Sequence, residues 1–369
     1  MIGWVKMKIG ILTFHMALNY GAFWQAYALN KYIEEDLGMD CYLIHYESKY
    51  TFIQHIIKKL FSLNPLKNVY TMFSIYGFKK GWKRMKKTRF TLKVEDILSS
   101  GFNTYILGSD EIWNHTNSFV KQHDYTYFGK HFEAEKIITY SPSFGTVNSN
   151  EILPEEIVKS IKRLNPSNIS VRDKNSQKII EKITYMKVPI LVDPVFLCSS
   201  PQERVNTRHK FILVYGNHFS EAFIQAIKLV AEKEKAKIYS FGFFNGFADR
   251  NLLFKSPLDI MKYFNSAQYV FTNMYHGVVF SLNCKKQFWM QYNEIKQNKV
   301  ATLLEYIGMS NRVVKGAQEV AESYQYTKMF PKYNEKSIEL LENLIEQSKC
   351  FIQGRIMSMQ SISNTKNAL

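Results

Sequence analysis

The chain has 369 residues, 46% of them hydrophobic, and its 48 Lys and Arg outnumber 32 Asp and Glu for a net charge of +16. That length exceeds one ordinary core, so two domains are expected, and the apolar content excludes wholesale disorder. No run approaches the about 18 apolar residues that a spanning helix needs, and Met1–Lys8 carries no secretory pattern. Cys41, Cys198, Cys284 and Cys350 show no CxxC or Cys/His spacing, which reads as reduced thiols in a cytoplasmic protein with neither a disulfide framework nor a metal site.

Short apolar runs alternate with amphipathic segments, the pattern of βα units and a parallel sheet. Lys8–Phe14 reads as a strand, Ala22–Leu37 as a helix stopped by Gly38, and Cys41–Tyr46 as the next strand. Residues 50–100 read as a basic helical insertion. Strands follow at Thr104–Leu107 and Ile137–Ser141, then a helix after Pro154 and strands at Asn168–Val171 and Val188–Val192. Asp193-Pro194 and Ser199–His209 read as the linker. The second set has strands at Phe211–Tyr215, Lys237–Phe241, Gln268–Thr272 and Gln287–Gln291. Its helices are expected at Glu221–Glu234, Pro257–Ser266, Gly277–Asn283, Lys299–Ile307 and Glu335–Gln347, with a frayed tail from Ile356. The expected domains are therefore 1–198 and 199–350, followed by a tail at 351–369.

Much of the positive charge lies in 79–93, KKGWKRMKKTRFTLK, where eight of fifteen residues are basic and Trp82, Met85, Phe90 and Leu92 are interleaved. A solvated helix face, an anionic membrane surface and an acidic substrate all fit this stretch. Nucleic acid is not expected, because no recognition motif accompanies it.

Ligands of open α/β sheets bind at the carboxyl ends of strands, so polar strand-to-helix junctions are the candidate sites. The first holds Asn19, Tyr20 and Gly21, where a glycine permits close ligand approach and a helix start favours anions; Asn19 as a helix cap is the plain alternative. Neither GxGxxG nor a Walker lysine is present. The second is Ser109-Asp110-Glu111 before Trp113. Its residues serve either as helix caps or, with the indole, as sugar-binding groups. The third is Ser170-Val171-Arg172-Asp173, where the guanidinium suits a phosphate or carboxylate unless it simply pairs with an acid. The fourth is Thr272-Asn273-Met274-Tyr275-His276-Gly277, where an imidazole and a helix start converge beside a glycine, a plausible phosphate site.

In order and spacing, from about Lys8 to Arg312, these segments resemble the polysaccharide pyruvyl transferase family. The strings that carry the resemblance are NYGAFWQAYAL, GSDEIW, ITYSPSFG, SVRD, ILVDPVFL, TNMYHGVVFSL and ATLLEYIGMSNR. Glu111, Pro142, Met274 and Tyr275 depart from the usual Gln, Ala, Ser and Phe. The resemblance implies two Rossmann-like α/β domains with parallel sheets facing a cleft, a GT-B-like arrangement. It also implies transfer of pyruvate from phosphoenolpyruvate to a sugar, commonly as a cyclic ketal, with no further cofactor. His276, Arg172 and Asp110 become catalytic candidates, with Asp193 an alternative to Asp110. Asn19, Tyr20, Gly21, Ser109, Asn273, Tyr275 and Gly277 become substrate-binding candidates. The implied acceptor is a sugar, often polyprenyl-diphosphate-linked, which would give 79–93 a peripheral role at the inner membrane face during capsule or exopolysaccharide synthesis. A GT-B-type glycosyltransferase using a nucleotide sugar is the alternative, and a non-catalytic binder of nucleic acid or anionic lipid is a third reading.

Overall fold

The computed structural model of the protein describes residues 7–49, 53, 65–292, 297–329 and 333–368. The chain separates into two compact units. One comprises Met1–Val69, Lys83–Cys198 and Leu344–Leu369, and the other Tyr70–Trp82 and Ser199–Asn343.

The first unit is built on four parallel strands, β1 (Lys8–Leu12), β2 (Asp40–Leu43), β3 (Thr104–Leu107) and β4 (Ile137–Thr139), in the order β2-β1-β3-β4. All four residues of β3 are buried, as a strand covered on both faces requires. Leu12 pairs with Leu107, and both enter a core with Trp113, Phe128, Phe144, Ile161 and Ile180. Asn19 ends the loop after β1 by accepting the Gly21 and Ala22 amides at 2.8 and 3.2 Å, which starts the helix Tyr20–Lys31.

The second unit carries six parallel strands: β5 (Phe211–Tyr215), β6 (Lys237–Phe241), β7 (Arg250–Leu252), β8 (Val270–Thr272), β9 (Phe288–Gln291) and β10 (Val313–Val314). Their order, β10-β9-β8-β5-β6-β7, is that of the doubly wound dinucleotide-binding fold. Ile212, Val214 and Phe271 from the sheet meet Phe223 and Ile227 of the helix Glu221–Glu234 in its core. Ser220 caps that helix by accepting the Phe223 amide.

Several expectations change. Asn168–Val171 is no strand: a 3-10 turn covers Pro166–Asn168, and Val171 makes one isolated bridge to Ile190. Pro166 and Asn165, which caps the turn, favour that geometry over extension. The insertion at 50–100 is divided. Pro65–Trp82 is a helix whose residues from Tyr70 group with the second unit, while 50–52 and 54–64 lie outside the described residues. Beyond Trp82 the basic stretch leaves the helix and runs beside β2 through the bridges Leu43–Lys87 and Tyr46–Thr91. Lys86 there is consumed by Glu34 and Asp40, each 2.8 Å away. Residues 351–368 of the expected tail continue the helix Glu335–Ala368 to its end, with Ile352 and Ile356 fully buried, while 369 lies outside the described residues. Those buried positions, four apart, anchor a segment whose polar composition suggested fraying.

Candidate functional site

Each sheet reverses its strand order at one place, and there the loops after two neighbouring strands diverge to leave a crevice. In the first unit that place lies between β1 and β3. In the second it lies between β5 and β8.

At the first switch point Thr13 donates to the Ser109 carbonyl at 2.9 Å, and Ser109 donates to the Ser141 carbonyl at 2.8 Å. The Gly108–Ser109 peptide is cis, and Asp110 lies at φ 81, held by its bridge to Pro142 and by the Ser143 amide on its carbonyl. Asp110 Oδ1 accepts the Glu111 amide at 2.8 Å and stands 3.5 Å from Arg172 Nη2. Arg172 Nη1 donates to Asp193 Oδ2 at 3.1 Å, and the two side chains are 1% and 0% exposed. Asp193 is further satisfied by Gln25 Nε2 at 2.5 Å and the Val195 amide at 3.1 Å. One guanidinium therefore faces two carboxylates in a dry setting. This pairing suits a brace within the unit more than the expected anion anchor. Asp110, with 17% of its side chain exposed, is the member of the trio that reaches solvent.

Trp113 is buried, donates its indole N–H to the Tyr127 carbonyl and stacks on Phe128, so it cannot present a face to a sugar. His15, in the loop after β1, is also buried, with Nδ1 3.2 Å from the Thr13 carbonyl. Burial pulls its pKa from 6.5 down to about 3, opposed by that hydrogen bond and reinforced by His45 and Lys87.

At the second switch point Thr272 Oγ1 donates to the Tyr215 carbonyl at 2.6 Å and accepts the Met274 amide at 3.0 Å, which turns the chain into the helix Tyr275–Asn283. A Cβ on Gly277 would stand 2.0 Å from Thr272 Oγ1. The glycine is therefore required by the packing of the helix on its own strand, rather than by ligand approach. Across the switch point Asn273 Nδ2 donates to the Asn217 carbonyl at 2.5 Å, and its Oδ1 lies 2.1 Å from where a Cβ on Gly216 would be. Gly216, at φ 142, is thus fixed by conformation and by space. Asn245 ties the same loop by donating to the Gly216 carbonyl at 2.9 Å. His276 is half-buried, its ring 5.1 Å from Tyr275 and 5.9 Å from Phe280. Lys299 holds its ammonium 5.3 Å from the Tyr275 ring centroid. Tyr275, His276 and Lys299 thus bring an aromatic, an imidazole and a cation together at a helix start, an arrangement suited to an anion.

The candidates sort by accessibility. Ser109, Arg172 and Asn273 are buried braces, Asn19 is a cap, Gly21 spends its amide on Asn19, and Tyr20 and Tyr275 are largely buried. Asp110, partly exposed, and His276, half-buried with its Nε2 shielded from solvent, remain as candidate chemistry on separate units. Lys299 and the Gly216–Asn217 loop were missed in the sequence. The loop had a signal, Gly-Asn between a strand and a serine-capped helix, whereas Lys299 reaches Tyr275 only through tertiary packing. Among the described residues no group of His, Cys, Asp and Glu is arranged to hold a metal ion.

A family model described as polysaccharide pyruvyl transferase matches residues 19–293, more than half of the chain. A search of curated proteins gives no match. Among solved structures, UDP-GlcNAc 2-epimerase from Neisseria meningitidis bound to UDP-GlcNAc is similar at 10% identity, covering 95% of this chain and 100% of that one, with a TM-score of 0.51. UDP-GlcNAc 2-epimerase from Methanocaldococcus jannaschii, in complex with UDP-GlcNAc and UDP, also shares 10% identity, covers 93% of this chain and 100% of that one, and gives a TM-score of 0.49. The first likeness agrees with the two parallel sheets in giving a GT-B-like, two-domain α/β fold; at such identity it speaks to fold alone.

Proposed function

The chain belongs to the polysaccharide pyruvyl transferase family, a family of enzymes, and from that premise we propose that it moves pyruvate from phosphoenolpyruvate to a sugar and closes a cyclic ketal. The acceptor in this reading is a polyprenyl-diphosphate-linked precursor of a capsule or exopolysaccharide. The observation that carries the donor assignment is the second switch point, where His276 and Lys299 flank Tyr275 at the start of a helix. Phosphoenolpyruvate has a phosphate and a carboxylate on a three-carbon frame, so it requires cationic and N–H donors in a small space.

Its enol carbon becomes electrophilic once the methylene carbon is protonated. His276 delivers that proton. A sugar hydroxyl then attacks the central carbon, the bond to the phosphate oxygen breaks, and a second hydroxyl closes the ring. Of the two hydroxyl protons released, one replaces the proton given to carbon and the other leaves with phosphate. Lys299 offsets the charge of the departing phosphate. Asp110 is the acceptor-side base, because it is the accessible carboxylate of its trio. Arg172 is a positioning residue that holds Asp110 and Asp193 and makes no contact with the donor.

Acceptor-dependent phosphate release from phosphoenolpyruvate tests the assignment. His276→Ala is expected to lower kcat by about 10²–10⁴, the range for a general acid, and Lys299→Ala to raise KM for phosphoenolpyruvate more than it lowers kcat. Wild-type release by both variants would remove the second switch point from the donor site. A nucleotide-sugar donor is the competing reading, and direct comparison of the two donors in the same assay separates them.

A further inference from the structure

From Thr71 to Trp82 the helix Pro65–Trp82 turns one face to the second unit and another to solvent. Gly77, Phe78 and Gly81 are buried, and a Cβ on Gly77 would stand 2.3 Å from the Phe254 carbonyl oxygen, so the helix lies directly on that backbone. At about 100° per residue, Met72, Tyr76 and Lys79 share one narrow arc, with Phe73 and Lys80 along its edge. All five are exposed; Met72, Phe73 and Tyr76 are 69%, 53% and 77% accessible. Phe73 rests one side on Phe254, with ring centroids 5.3 Å apart. Among the described residues no acidic side chain pairs with Lys79 or Lys80.

Single exposed apolar groups need no explanation, but three within two successive turns of one helix mark an interaction surface. Here the apolar turns lead straight into a basic turn. Aromatic and thioether groups settle at the level of lipid headgroups, and lysine stems lie along apolar surface while their ammonium groups reach phosphates. We infer that this face docks the protein on a membrane surface of anionic phospholipid, with the helix lying in the headgroup plane. An anionic polymer would use the lysines and leave Met72 and Tyr76 in water. A second copy would cover the apolar turns but bring together two chains of net charge +16. The inference rests on the proposed lipid-linked acceptor only for its purpose. Vesicle binding is measured without donor or acceptor, so it stands or fails separately from pyruvyl transfer.

The test is co-sedimentation of the full chain with phosphatidylcholine vesicles containing phosphatidylglycerol, and with phosphatidylcholine alone. Binding is expected to the anionic vesicles only and to fall with added salt. Lys79→Ser/Lys80→Ser should weaken it about twenty-five-fold, at roughly fivefold per lysine. Met72→Ser/Tyr76→Ser should weaken it about tenfold or more, whereas Met72→Leu/Tyr76→Phe retains it. All four positions are exposed, so the fold is expected to survive, and circular dichroism checks this. Absence of sedimentation with anionic vesicles, or binding indifferent to both serine pairs, overturns the inference. Sensitivity to the lysine pair alone would make the face a site for anionic polymers and overturn it as well. So would a dimer in light scattering that Met72→Ser/Tyr76→Ser dissolves.

Discussion

Removing the Arg172 guanidinium should damage stability before it damages donor binding. Arg172 Nη1 and Asp193 Oδ2 are 3.1 Å apart with side chains 1% and 0% exposed, and Asp110 adds a second carboxylate at 3.5 Å. In Arg172→Ala, Asp193 keeps Gln25 and the Val195 amide but remains a buried charge without a cation. Breaking one partner of such a pair costs about 3–5 kcal/mol. For a unit of this size that lowers the melting temperature by roughly 6–20 °C. The double variant Arg172→Met/Asp193→Asn removes both charges and should recover most of the loss, because a neutral buried pair carries no desolvation penalty of that size. Thermal unfolding of the parent, the single variants and the double variant gives the coupling directly. A drop below about 1 kcal/mol in Arg172→Ala, together with a large rise in KM for phosphoenolpyruvate, would refute this reasoning and return the arginine to the donor site.

Other outcomes follow from the same geometry. Gly277→Ala places a methyl against Thr272, whose Oγ1 is fixed at both ends, and should cost about 1–3 kcal/mol or more while displacing the His276 helix start and abolishing turnover. Gly216→Ala meets Asn273 Oδ1 and an unfavourable φ, and thermal shift should show loss of stabilisation by phosphoenolpyruvate. His15 makes stability pH-dependent with a definite sign. Its folded pKa is depressed, so the unfolded chain takes up a proton below about pH 6.5 that the folded chain refuses until about 3. Its neutral form is tolerated fully above that window, and stability falls as pH drops, by about 2 kcal/mol at pH 5 from this residue. Denaturant melts of His15→Gln across this range should show a shallower pH slope; an identical slope would count against the buried neutral imidazole.

The legibility of the molecule in its sequence varied with the range of the interactions involved. Strands such as Phe211–Tyr215, with every residue buried, were readable because an apolar run of that length has few other uses. The His276 junction was readable for the same reason: a strand ends and a helix begins within a few residues. Arg172 is legible as a residue but its pairing is not, since its partner Asp193 lies 21 positions away and burial is a tertiary property. Trp113 failed likewise; nothing local tells a core indole from a sugar platform. β7 and β10, at three and two residues, fall below any periodic signal, and they exist because neighbouring strands offer an edge. The polar composition of 356–368 hid a helix whose anchors are two isoleucines. The basic stretch 79–93 looked uniform in sequence, yet a helix end at Trp82 divides it into exposed Lys79 and Lys80 and a Lys86 bound to two carboxylates.

The account turns on donor identity. Its most direct test is incubation of the protein with phosphoenolpyruvate and, separately, with nucleotide sugars, against a panel of lipid-linked and nitrophenyl sugars, with products identified by mass and phosphate release followed in parallel. The account predicts acceptor-dependent phosphate release from phosphoenolpyruvate and a sugar product that has gained pyruvate, both lost in His276→Ala. Transfer of a glycosyl group from a nucleotide sugar, with phosphoenolpyruvate left intact, would contradict it.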